Sequence, residues 1–139
     1  MKVKGFDRLI AKLRRLPDET VADAKALIED AADMIVMDAG NAAPVDLGYL
    51  KNSIRNFPTQ GGLNFSIEVG AKYSPYVEFG TGTEVDVPAE LKDYAYQFKG
   101  KGQRTVNIPA RPFFFPAYFQ HRDELVKALK KMIKENLNR

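Results

Sequence analysis

Residues Ile108 to Phe119, IPARPFFFPAYF, constrain this chain more than any other stretch. Five of the twelve are aromatic (Phe113, Phe114, Phe115, Tyr118 and Phe119), and Pro109, Pro112 and Pro116 punctuate them. Proline fixes its own φ and biases the preceding residue away from α, so Ile108 and Arg111 are expected to be extended. Pro116 fits the first turn of a helix, where a missing N–H costs nothing. The stretch therefore predicts an extended arm that runs into a helix. Burying one phenylalanine is worth about 1.5–3 kcal/mol, so a cluster this dense must be core, interface or both. In the extended part, Phe113 and Phe115 are expected to point one way and Phe114 the other, serving both purposes.

The remaining elements follow from periodicity. Phe6, Leu9, Ile10, Leu13 and Leu16 mark one face of a short helix over residues 1–16, with Arg8, Lys12, Arg14 and Arg15 off that stripe. Pro17 stops it and opens a second helix over 17–43, with Asp18 and Glu19 facing its positive dipole end. Val21, Ala24, Leu27, Ile28, Ala31, Met34 and Ile35 form its apolar stripe. Gly40 and Asn41 are possible caps, and Pro44 ends it by driving Ala43 out of α. Asp38 falls near the negative dipole end, where a carboxylate is unfavourable. Asp46 is placed to cap a short helix by accepting the N–H groups of Gly48 and Tyr49. Arg55 to Phe57 reads as extended, PTQGG as a turn, and Leu63 to Val69 as a strand by its alternation, giving a hairpin. Ser74 and Pro75 predict an N-cap and first helical residue of one turn ending at Gly80. Residues 83–107 are expected to form a variable loop within a β-rich region over 54–108, with a short helix near Glu90 to Phe98. A final helix is predicted over 113–137. His121 is placed on its polar side, and Asp123/Lys127 and Lys131/Glu135 are favourable i,i+4 pairs. The sum is a single α+β domain, 1–139, in which the long N-terminal helix and the C-terminal helix pack on a small antiparallel sheet.

Composition narrows the chemistry. With no cysteine, disulfide and thiolate chemistry are excluded; one histidine argues against a His-rich metal site or a hydrolytic triad. No cofactor or metal is expected. No apolar run reaches the ~20 residues of a membrane span, and the N-terminus has no uninterrupted apolar core of a signal peptide. Net charge is +3 but segregated. Residues 1–16 hold six Lys/Arg against Asp7, and residues 17–40 hold seven acids against Lys25. Such blocks are either solvated helix faces or electrostatic matching surfaces between neighbouring copies. Glu78, between Val77 and Phe79, must find donors; it is expected to tie down backbone N–H groups or to pair with Arg111.

Three motifs occur in one order: APVDLGYLKNSI, YSPYVEFGTG, and IPARPFFFPAY before the last helix. Together they resemble the tail-completion, or head–tail connector, family of tailed bacteriophages, over about residues 18–137. Pro44, Asp46, Gly48, Leu50, Ser53, Glu78, Phe79, Gly80, Thr81, Pro112, Phe113, Pro116 and Ala117 carry the resemblance. Leu47 and Ser74 depart from the family's usual Thr and Ala. The resemblance implies a non-enzymatic virion protein of the neck, made in the host cytoplasm. It implies a ring, hexameric or dodecameric, that meets portal-adaptor, neck or tail-tube proteins and completes the tail or joins it to the filled head. Neighbouring copies would meet through Arg14 and Arg15 against an acidic surface near Asp23, Asp30 and Asp33.

Two other classes compete. A nucleic-acid-binding protein would use the basic loop with Lys99, Lys101 and Arg104, which in a neck ring could also touch passing DNA; no helix-turn-helix, RNA-recognition or zinc pattern accompanies it. A carboxylate hydrolase would need Glu78 with Glu68 or Asp86.

Overall fold

The long helix predicted to follow Pro17 organises the fold. A computed structural model describes residues 7–45, 48–80, 89–91 and 109–137 of the chain. In it, α1 (Asp7–Leu13) leads through a turn into α2 (Asp18–Ala42). Pro17 holds the cap position, one step earlier than expected, and its carbonyl accepts the Val21 N–H at 3.0 Å. Ala43 is extended (φ −63°, ψ 135°), the conformation a following Pro44 imposes. Gly40 and Asn41 do not cap the helix. Gly40 is buried inside it, and a Cβ there would come within 3.3 Å of the Lys51 side chain. The buried stripe of α2 is Ala24, Ile28, Ala32, Ile35 and Ala39. Met34, assigned to that stripe from sequence, is exposed, one position round from Ile35.

After α2 come α3 (Tyr49–Asn52), β1 (Ile54–Thr59), β2 (Asn64–Val69), α4 (Ser74–Phe79) and, after a short 3-10 turn at Ala89–Leu91, α5 (Phe115–Leu137). The two strands form the predicted antiparallel hairpin, with Ile54 opposite Val69 and Thr59 opposite Asn64. Pairing continues through Pro58, opposite Phe65, so the turn is shorter than PTQGG and begins at Gln60. Helix α4 begins at Ser74 rather than after it. Tyr73 is already in the α region and holds the cap position, because a turn closed by Ser74 N–H on the Ala71 carbonyl (3.0 Å) precedes it. Of the helix expected at Glu90 to Phe98, only the turn at Ala89–Leu91 lies within the described residues.

Helices α2 and α5 lie antiparallel: Asp38 meets His121, whereas Ala24 and Ile28 share a cluster with Leu129. Helix α2 also packs on both strands of the hairpin. Two apolar clusters result. One gathers Ile35 and Ala39 of the second half of α2, and Ala43 just after it, with Leu50, Ile54, Phe79 and the aromatic stretch. The other gathers the first half of α2 with Ile10 and Leu13 of α1, Leu63 after the hairpin turn and Leu129 of α5. The fold is α+β, as the periodicities predict. Among the described residues no helix is long and apolar enough to cross a membrane.

Candidate functional site

The second and third motifs meet at Glu78. Helix α4 is a turn and a half long and presents Glu78 and Phe79 inward, 2% and 3% exposed. Three backbone N–H groups converge on the carboxylate. Phe113 and Phe114 donate to Oε2 at 2.8 and 3.0 Å, and Phe115 donates to Oε1 at 3.0 Å. These groups stand at the entrance to α5, whose first amides have no partner inside the helix. A carboxylate there also faces the positive end of the helix dipole. Glu78 therefore acts as a capping group supplied from a distant part of the sequence. Arg111 is not its partner: the arginine side chain is exposed, and its backbone N–H donates to the Val77 carbonyl at 2.8 Å.

Gly80 makes the turn after Glu78 possible. Its φ of 70° with ψ of 177° lies in a region open essentially to glycine alone. Gly48, which starts α3, is likewise left-handed at φ 69°. Pro112 is exposed in the arm and Pro116 is exposed in the first turn of α5. Phe113, Phe114 and Phe115 are all buried, at 1%, 1% and 4%. The expected split between core and interface does not hold for these three. The segment is already turning into a helix at Phe114, whose carbonyl accepts the Tyr118 N–H at 2.9 Å, so extended-chain alternation does not apply. Phe115 packs against Phe79 with ring centroids 5.8 Å apart and planes tilted by 31°, and meets Phe114 edge-on at 5.3 Å. Arg122 lies over Phe119, 4.7 Å from the ring centroid, and approaches Glu90 at 3.6 Å. Burial pushes the Tyr118 phenol above its usual range, an effect that the nearby Arg122 charge opposes.

The first motif is built around Leu50 and Ser53. Leu50 is buried, Pro44 is half-buried, and Ser53 joins α3 to the end of β2. Its Oγ donates to the Leu50 carbonyl at 2.7 Å and accepts the Ala71 N–H at 3.2 Å. Asp46, Leu47, Thr81, Asp86 and the basic loop with Lys99, Lys101 and Arg104 lie outside the described residues. Arg14 and Arg15 are both exposed; Arg14 donates to the Gln60 side chain at 3.1 Å, and Asp33 accepts from Asn56 at 2.7 Å. Glu68 is exposed on β2, across from Arg55.

Sequence reasoning missed one buried polar centre. His121 is 5% exposed, not on the surface, and its Nε2 lies 2.6 Å from Asp38 Oδ2. Its Nδ1 lies 3.3 Å from Glu124 Oε2. The signal was spacing: His121 stands four residues after Ala117 and four before Leu125, inside the packed stripe. The same contact accounts for Asp38, whose position near the end of α2 had no explanation from sequence. Of the two i,i+4 pairs, Lys131 and Glu135 approach to 4.0 Å. Asp123 instead meets its neighbour Arg122 at 3.2 Å.

Chemically, the centre at Glu78 holds backbone: among the described residues, the hydrogen bonds of its carboxylate join α4 to the start of α5. No curated protein and no solved structure matches the chain. The family described as "Bacteriophage HK97-gp10, putative tail-component" matches residues 7–80, just over half of the sequence. That stretch runs from the start of α1 through the first motif and most of the second, and ends at the glycine after Phe79. The chain therefore belongs to the HK97 gp10-like family of phage tail components.

Proposed function

We propose that this protein is a non-enzymatic structural component of the virion neck, where copies form a ring that completes the tail or joins it to the DNA-filled head. Membership of a phage tail-component family is the observation that carries this reading. The order of the three motifs supports the more specific assignment to the head-proximal end. The use of Glu78, the most buried carboxylate among the described residues, as a backbone clamp fits a scaffold rather than a catalyst. The expected partners are further copies of the chain, portal-adaptor or neck proteins, and the tail tube. A ring of this kind uses a heterologous interface, in which one patch meets a different patch on the next copy.

Electron microscopy of particles made with the gene deleted from its phage or prophage tests the assignment. Filled heads beside separate tails are the expected result. Abnormally long tails would then indicate a terminator, and tails of normal length a connector. Intact, joined virions would refute a neck role.

A further inference from the structure

Two surfaces of opposite charge lie at one end of the molecule. Helix α1 buries Ile10 and Leu13 against Ala24, Ile28 and Leu129, which places it beside the second half of α5. Its exposed cations, Arg8 and Lys12, and Arg15 just after it, lie away from that buried pair. The second half of α5 exposes Lys127, Lys130 and Lys134. Because α2 and α5 are antiparallel, the acidic first half of α2 sits at the same end. It exposes Glu19, Asp23, Glu29 and Asp30 on an outward stripe interspersed with Ala22 and Ala26. Among the described residues none of these ten charged side chains lies in an ion pair. The chain thus carries two sets of opposite charge, six cations and four carboxylates, that form no ion pairs with each other among the described residues.

We infer that the basic surface of α1 and α5 is the docking face for the acidic outer stripe of α2 in a second copy of this chain. The inference rests on the ring reading above and assigns its interface. It moves the contact from Arg14, which is engaged by Gln60, to the cations of α5 and the outer side of α1. A second copy fits better than nucleic acid. The α2 carboxylates at the same end would repel a phosphate backbone, whereas a neighbouring copy presents the complementary sign. Two different patches meeting head to tail close a ring when the rotation permits. Exposed pairs are individually weak, so the charges set orientation and register, and the contact weakens in salt.

The test is reciprocal charge reversal in the full chain. Asp23→Lys with Asp30→Lys forms one variant, Lys130→Glu with Lys134→Glu the second, and all four changes the third. Self-association is measured by analytical ultracentrifugation at low and high salt, with melting curves to establish folding and complementation of the deleted gene as a biological readout. Each paired reversal is expected to weaken self-association by at least about tenfold. The fourfold variant is expected to restore both association and infectious particles, and all three should melt like the parent chain. A parent chain that stays monomeric, reversals without effect, or a fourfold variant that fails to recover would overturn the inference. Loss on the basic side alone, with salt-sensitive binding of a random-sequence DNA duplex, would overturn it in favour of nucleic acid. A failed interface leaves the deletion phenotype intact, whereas a failed neck assignment shows as joined virions without the gene.

Discussion

Replacing Glu78 with glutamine keeps the side chain's shape but turns one acceptor oxygen into an N–H2 donor facing backbone N–H groups. Buried donors would be left without partners, so Glu78→Gln is expected to lower unfolding free energy by about 2–5 kcal/mol in chemical denaturation. This residue was legible in sequence: a carboxylate between Val77 and Phe79 had to find donors, and backbone N–H groups were one of two candidates. The Asp38–His121 pair was not legible, because Asp38 alone looks unfavourable, His121 alone reads as a surface residue, and the partners stand 83 residues apart. Asp38→Asn and His121→Ala are each expected to cost about 1–3 kcal/mol. The double variant should cost less than the sum by more than about 0.5 kcal/mol, the signature of direct coupling in a double-mutant cycle. Additive losses would show that the two groups act separately.

At the scale of elements, those set by local rules were predicted well. The extent of α2 follows from Pro17 and Pro44, and the hairpin from strands joined by a short turn. Errors cluster where backbone geometry changes within a few residues. The alternation assumed for Phe113 to Phe115 failed because the chain is leaving extended conformation there, so all three rings go inward. The start of α4 shifted because Tyr73 had already turned. Helix α1 shows the opposite: its amphipathic spacing was plain, and Ile10 and Leu13 dock as the stripe requires. With seven residues it is too short to be stable alone, so tertiary packing must hold it. Leu13→Ala is expected to cost about 2–4 kcal/mol, with the amides of α1 losing hydrogen-exchange protection before those of α2. Equal loss of protection throughout would mean that α1 and α2 unfold as one unit.

At the scale of the molecule, α2 is the common wall of both apolar clusters, with α5 and the hairpin packed against it. That arrangement depends on pairings between distant segments, which a single sequence does not specify. The contact at Glu78 has its own consequence at this scale. It holds residues 78 and 113–115 together, while Val77 and Arg111 are joined by a backbone hydrogen bond, so both ends of the intervening connection are fixed at one place. The two segments are therefore fastened at a single carboxylate, so removing it would release the end of α4 and the entrance to α5 together, although they stand more than thirty residues apart in sequence.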